Sequence, residues 1–179
     1  VKVLAIGAHP DDLEYGCAGT LIKHAQRGDE VYMMIITDGS SGGEADLRAR
    51  EQREAAKIIG AREVFFGGYP DTEFECHRES IMKIEGVVRQ VMPDTVYTHF
   101  GEDTHQDHRQ IARAVVPAAR SVPNLLFFEG LSSQQFLPSV FVDIGSVIHQ
   151  KLGALEAHAS QVKKTNIQAM TIVDIAQSA

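Results

Sequence analysis

The stretch Gly7-Ala8-His9-Pro10-Asp11-Asp12 puts one imidazole and two adjacent carboxylates directly after the apolar run Val3-Leu4-Ala5-Ile6. The run reads as a fully buried strand, and Pro10, with its φ fixed, stiffens the turn that follows. Neighbouring carboxylates repel, so a folded chain keeps such a pair where something offsets the charge. A divalent cation would do so with His9 and one Asp as ligands, leaving the other Asp for acid–base work. For Asp-Asp alone, a polar turn closing a strand is the plainer reading. A second cluster favours the metal site: His105-Gln106-Asp107-His108 sets two imidazoles three residues apart. At the first turn of a helix both can point into one cavity.

For these stretches to meet, the elements between them must bring them together. After the first strand, apolar or small residues at 18, 21, 22 and 25 predict a helix over 16–27, stopped by Gly28. A second apolar strand covers 31–37, and 38–46 is a Gly/Ser/acid loop. A helix over 47–59 closes at Gly60, a short strand covers 63–66, and a helix spans 77–91 with Ile81, Ile84, Val88 and Val91 on one face. A fourth strand at 95–100, a helix over 106–120 and a fifth strand at 125–128 follow. A sixth strand is expected at 140–144 and a last helix at 146–159, with Ile148, Leu152 and Leu155 inward; beyond Gln161 the pattern fades.

Strands alternating with helices predict an α/β fold, a doubly wound Rossmann-like three-layer sandwich with a mostly parallel sheet in the order 3-2-1-4-5. Strands one and four then adjoin at the switch point. One loop there carries His9, Asp11 and Asp12, the other Asp103, His105, Asp107 and His108. A dinucleotide needs a glycine-rich turn after strand one. The two acids found there would repel a pyrophosphate, which excludes that ligand.

His9, Asp12 and one of the two histidines form a two-His, one-carboxylate set with an open position, the pattern of catalytic zinc. Non-haem iron(II) uses the same set. A bound metal lowers the pKa of its water toward about 7, and Asp11, beside the expected ligand Asp12, suits proton transfer to a leaving amine. The second histidine would stabilise an oxyanion, with Asp107 orienting it. These parts suit hydrolysis of an amide or ester.

The chain of 179 residues suits one domain, 1–179, expected to lack the C-terminal part of a longer product because no Met opens it and it ends abruptly at Ala179. A net charge of -7 without a basic run argues against nucleic acid. No apolar segment approaches the roughly 20 residues of a membrane span. Two cysteines, Cys17 and Cys76, outside any zinc-knuckle pattern point to a reducing, cytoplasmic setting. Cys17 reads as a small buried side chain rather than an activated thiol. His24, His77, His149 and His158 read as exposed or hydrogen-bonded, and His99, in the fourth strand and nearer the site, as packed, with support of the site residues as the alternative.

Gly-Ala-His-Pro-Asp-Asp after strand one with His-x-Asp-His after strand four resembles the LmbE-like (PIG-L) zinc-dependent de-N-acetylases. The likeness runs from about residue 2 to residue 161. It includes Leu47-Arg48-Ala49-Arg50-Glu51, the Pro70-Asp71 turn and Ala157-His158-Ala159-Ser160-Gln161. It implies His9, Asp12 and His108 as ligands of one Zn2+ (Fe2+ or another divalent metal being the alternative), Asp11 as general base and His105 as the polarising group. It further implies Arg48 and Asp71 at the substrate, an N-acetylglucosamine-type conjugate that loses its acetyl group. Two departures stand out: Gln106 where many members have Pro, and Asp103 where some have Tyr.

Two rivals remain. One is a metal-dependent esterase or phosphoesterase, although few basic residues are placed for phosphate; the other is a non-catalytic sugar- or metal-binding module, which would not need Asp11. The aglycone and the oligomeric state, a homo-oligomer included, are left open by the sequence.

Overall fold

A computed structural model describes residues 1–165. Five strands form one sheet: β1 (Lys2–Gly7), β2 (Glu30–Thr37), β3 (Glu63–Tyr69), β4 (Thr95–His99) and β5 (Asn124–Phe128). All four pairings are parallel and the order is β3-β2-β1-β4-β5, as the alternation of elements predicts. The switch point lies where β1 pairs with β4, Ile6 opposite Thr98.

Successive side chains of a strand face opposite ways, and here both faces are buried. Val3, Ala5, Val31, Met33 and Ile35 pack on one side with Leu13, Leu21, Ile22 and Ile59. Leu4, Ile6, Met34 and Ile36 pack on the other with Ile84, Val88, Ile111 and Val115. The first layer of helices is α1 (Asp12–Gly16), α2 (Ala18–Gln26), α3 (Ala45–Ile59) and α6 (Ile148–Glu156); the second is α4 (Arg78–Val91) and α5 (Gln106–Ala118). A short α7 (Ala159–Thr165) follows α6. Unbroken apolar runs such as 3–6 arise because a parallel sheet is covered on both faces.

Three expectations are corrected. The helix expected over 16–27 is α2, Ala18–Gln26, and a separate short helix, α1, precedes it unexpectedly, the two parted where the chain steps out of helical geometry at Cys17 (φ −138°, ψ 5°). Strand 63–66 runs on to Tyr69, since Tyr69 still pairs with Thr37 across an irregularity in the register. The sixth strand expected at 140–144 does not form. Val140, Phe141 and Val142 are exposed, and a strand needs a neighbour to satisfy its backbone; none adjoins them among the described residues. The fading of the pattern beyond Gln161 falls largely on residues 166–179, which lie outside the described residues.

Among the four histidines read as exposed or hydrogen-bonded, His158 departs from that reading, being buried with Nε2 3.6 Å from Glu14 and, among the described residues, no hydrogen bond to either ring nitrogen; His149 is exposed and His24 bonds Asp29 and Tyr97. His77 caps α4, its Nδ1 accepting from the Ser80 N–H. Cys17 is a buried free thiol, and burial pushes its pKa up. No helix among the described residues is long and apolar enough to cross a membrane.

Candidate active site

Where the carboxyl ends of β1 and β4 adjoin, a cavity of about 230 Å³ is lined by His9, Asp11, Asp12, Tyr15, His99, His105, His108, Gly130, Leu131 and Ser132. Two loops some ninety residues apart in sequence thus close on one space.

Its centre is the Asp12 Oδ2 atom. It accepts from the His9 backbone N–H at 2.7 Å and lies 3.1 Å from His9 Nδ1, 3.3 Å from His108 Nε2 and 3.4 Å from His99 Nε2. Despite burial, the facing imidazoles hold the Asp12 carboxyl well below the usual carboxylate range. His9 presents its other nitrogen, Nε2, to Asp107 Oδ2 at 3.0 Å and Asp71 Oδ1 at 3.1 Å. Burial lowers the pKa of His9, but contacts with Asp107, Asp12 and Asp71 outweigh it and push the ring up to about 12. Three carboxylates around one imidazole make a box that favours a positive charge. Ligand atoms lie within 4.8 Å of one another in three sets that could hold a divalent cation: His9, His105 and His108; Asp12, His99 and His108; and His9, Asp71 and Asp107. An ion binding through His9 would displace one of the carboxylate contacts now made by that ring.

The α5 N-terminus supplies the other two rings. His105 is its N-cap, and Nδ1 accepts from the Asp107 N–H at 3.2 Å. In the neutral ring the proton then sits on Nε2. Burial and the neighbouring His9 and His108 lower the pKa of His105, so the neutral form, able to donate a hydrogen bond, is favoured. His108 sits one turn on, its ring stacked 4.6 Å from that of His105. Its Nδ1 faces Asp103 Oδ2 at 3.2 Å and Ser132 Oγ at 3.4 Å. Asp12 and Asp103 raise the pKa of His108 against the effect of burial.

Asp11 takes a positive φ of 115°, a conformation that costs a non-glycine residue about 1–3 kcal/mol and persists only where its surroundings enforce it. Burial, and then the charge of Asp12, raise its pKa to about 7, against the opposing Arg48 and His158. A carboxyl near that value can both take and return a proton at neutral pH.

Not every expected residue lines the cavity. Arg48 is buried, and its guanidinium donates to the Gly39 carbonyl at 2.7 Å, to the Pro10 carbonyl and to Asp11 Oδ2 at 3.2 Å. A buried guanidinium must satisfy its donors, and these acceptors lie within reach. A side chain at Gly39 would collide with it. Asp71 sits behind His9 and accepts from the Ser41 N–H at 3.0 Å. Neither Arg48 nor Asp71 is among the residues that line the cavity. Asp107 turns its carboxylate to His9 and the Thr72 N–H, and its backbone N–H donates to His105.

Sequence reasoning missed three partners. His99, read as packed, is buried but faces the site, accepting from the Ala8 N–H at 3.0 Å and stacking 4.0 Å from His108. Its position at the carboxyl end of β4 was the available signal. Asp103 was placed in the right loop and noted as a departure from a pattern but given no role, and Tyr15 carries no motif.

A mainly apolar groove of about 860 Å³ along β5 adjoins this cavity at Tyr15, Gly130 and Leu131. The architecture is that of a doubly wound α/β protein with a histidine–carboxylate pocket at its switch point. Residues 4–119 match the family PIG-L: GlcNAc-PI de-N-acetylase. The deacetylase YaiS of Escherichia coli K12 is 34% identical over 88% of this chain and 90% of its own length. Diacetylchitobiose deacetylase of Thermococcus kodakarensis is 32% identical over 89% of this chain and 70% of its own. The solved hydratase GalB of Pseudomonas putida KT2440, for 4-carboxy-2-hydroxymuconate, superposes with a TM-score of 0.87 over 98% of this chain and 84% of its own. At 23% identity that likeness is one of fold. The chain belongs to the PIG-L family of de-N-acetylases, and its homologues include deacetylases that act on N-acetylated sugars.

Proposed function

We propose that this chain removes acetyl from an N-acetylated amino sugar, in an N-acetylglucosamine-type glycoside or conjugate, with His9, Asp12 and His108 holding one divalent ion, zinc in our reading. The observation that carries it is the convergence of His9 Nδ1 and His108 Nε2 on Asp12 Oδ2, with Asp11 beside them. When bound, the ion would polarise the amide carbonyl and make water more acidic.

The chain's own groups do the rest. Asp11, with its pKa raised to about 7, takes a proton from water and gives it to the leaving amine. His105 donates from Nε2 to the oxygen that gains charge as the carbonyl carbon becomes tetrahedral. Asp103, on Nδ1 of His108, fixes that ring and leaves Nε2 to bind. Arg48 and Asp71 act from behind the cavity, Arg48 on the turn carrying Asp11 and Asp71 on His9. The free thiols Cys17 and Cys76 favour a reducing compartment such as the cytoplasm.

The test is acetate release from a panel of N-acetylglucosamine conjugates by zinc-replete protein, with Asp11→Ala alongside. The variant should bind the metal and lose about 100-fold or more in turnover. No acetate from any conjugate would overturn the activity, and normal rates in Asp11→Ala would overturn the base. A phosphoesterase or a hydratase would instead release phosphate or add water across a double bond.

A further inference from the structure

The late segment Ala157-His158-Ala159-Ser160-Gln161 does not line the cavity, yet its polar side chains are tied to the machinery behind Asp11. His158, 1% exposed, places Nε2 3.6 Å from Oε2 of the fully buried Glu14. Oε1 of Glu14 accepts from Gln52 Nε2 at 2.8 Å, and Gln52 Oε1 accepts from the Asp11 backbone N–H at 3.3 Å. Next to this chain, Ser160 donates its N–H and hydroxyl to the two Glu51 oxygens at 2.8 and 2.6 Å. Gln161 donates to the Gly42 carbonyl at 3.2 Å, in the loop whose Gly39 carbonyl accepts from Arg48.

A carboxylate, an amide and an imidazole shut away from water are expensive to bury, and a mainly apolar layer between α1, α3 and α6 could be filled without them. Their contacts run to one place: a non-glycine residue held at a positive φ. We propose that Gln52, Glu14 and His158 are positioning residues for Asp11, a buried polar chain that holds its turn in the strained conformation from which the carboxylate meets the site. The proposal rests on reading Asp11 as the base.

Two measurements test it on the full chain. The first is a kinetic cycle with Gln52→Leu, which keeps bulk and deletes both hydrogen bonds. It should lower kcat about tenfold, leave KM within about twofold and leave bound zinc unchanged; in an Asp11→Ala background, the same change should cost less than about twofold, because residues acting through one group are non-additive. His158→Leu, at the far end, should show the same pattern with a smaller loss. A full tenfold loss in the Asp11→Ala background, or a rise in KM at constant kcat, would mean a general structural role and overturn the proposal. If Gln52→Leu does not fold, Gln52→Met, which matches the length of the side chain and also deletes both hydrogen bonds, is judged by the same criteria.

The second measurement needs no turnover. Amide hydrogen exchange at Asp11 should speed up at least about tenfold in the Gln52 variant while β1 amides keep their rates; unchanged exchange at Asp11 would overturn the proposal. Wild-type protein that released no acetate would defeat the functional reading, whereas additive kinetics in an active enzyme would defeat this inference alone.

Discussion

Asp103 and Arg48 differ in what a single substitution would reveal. Asp103 bonds Nδ1 of His108, accepts from the His105 N–H at 2.8 Å and from Ser133 Oγ at 3.1 Å. Asp103→Asn keeps the shape and loses the charge that orients the ring. It should weaken metal binding or turnover about 10- to 100-fold, read by metal titration beside acetate release. Arg48→Ala removes a buried cation and leaves the Gly39 and Pro10 carbonyls and the Asp11 carboxylate without their donor. A loss of about 2–4 kcal/mol in denaturant unfolding is expected. The types and spacing of His9, Asp11, Asp12, His105 and His108 were enough to nominate them. Asp103 and His99 were not nominated, because a lone carboxylate or imidazole gains meaning only from the ring it faces.

Among the elements, α4 shows how far periodicity reaches. Ile84, Val88 and Val91, read as one helical face, are buried against the sheet. Ile84→Ala should therefore cost about 2–5 kcal/mol, measured by denaturant unfolding. The turn from α6 into α7 offers a test with a pH signature. Burial lowers the pKa of His158, but Glu14, followed by Asp11 and Glu51, raises it above its ordinary 6.5. A raised folded-state pKa gives stability that is full below the unfolded value and lost as pH rises through the folded one. The Tm gap between wild type and His158→Leu should therefore be widest below about pH 6 and shrink as pH climbs past 6.5. A gap independent of pH would show that packing, not charge, explains the loss. At 140–144 the pattern failed, since the apolar run Val140-Phe141-Val142 records a tendency to extend and says nothing about whether a neighbouring strand is present.

Over the whole molecule, the site joins three distant parts of the chain: the turn after β1, the Pro70–Thr72 turn after β3 and the N-terminus of α5, which meet at His9 through Asp12, Asp71 and Asp107. An ion held there links segments that separate on unfolding. Chelation should abolish acetate release and lower Tm. Restoring zinc at 100 times its Kd should return about 2.7 kcal/mol; a Tm indifferent to chelation would contradict a metal in this pocket.

By itself, the amino-acid sequence determined the parallel sheet, its strand order and the two loops at the switch point. Those follow from local periodicity and from the handedness of crossovers, which every residue along a strand or helix helps to specify. Only the tertiary structure decided which way the polar groups turn: Arg48 and Asp71 toward protein partners, Asp107 onto His9, and His99 into the pocket. A buried polar side chain goes to whichever acceptor or donor the fold brings within about 3 Å, and no spacing along the chain records that.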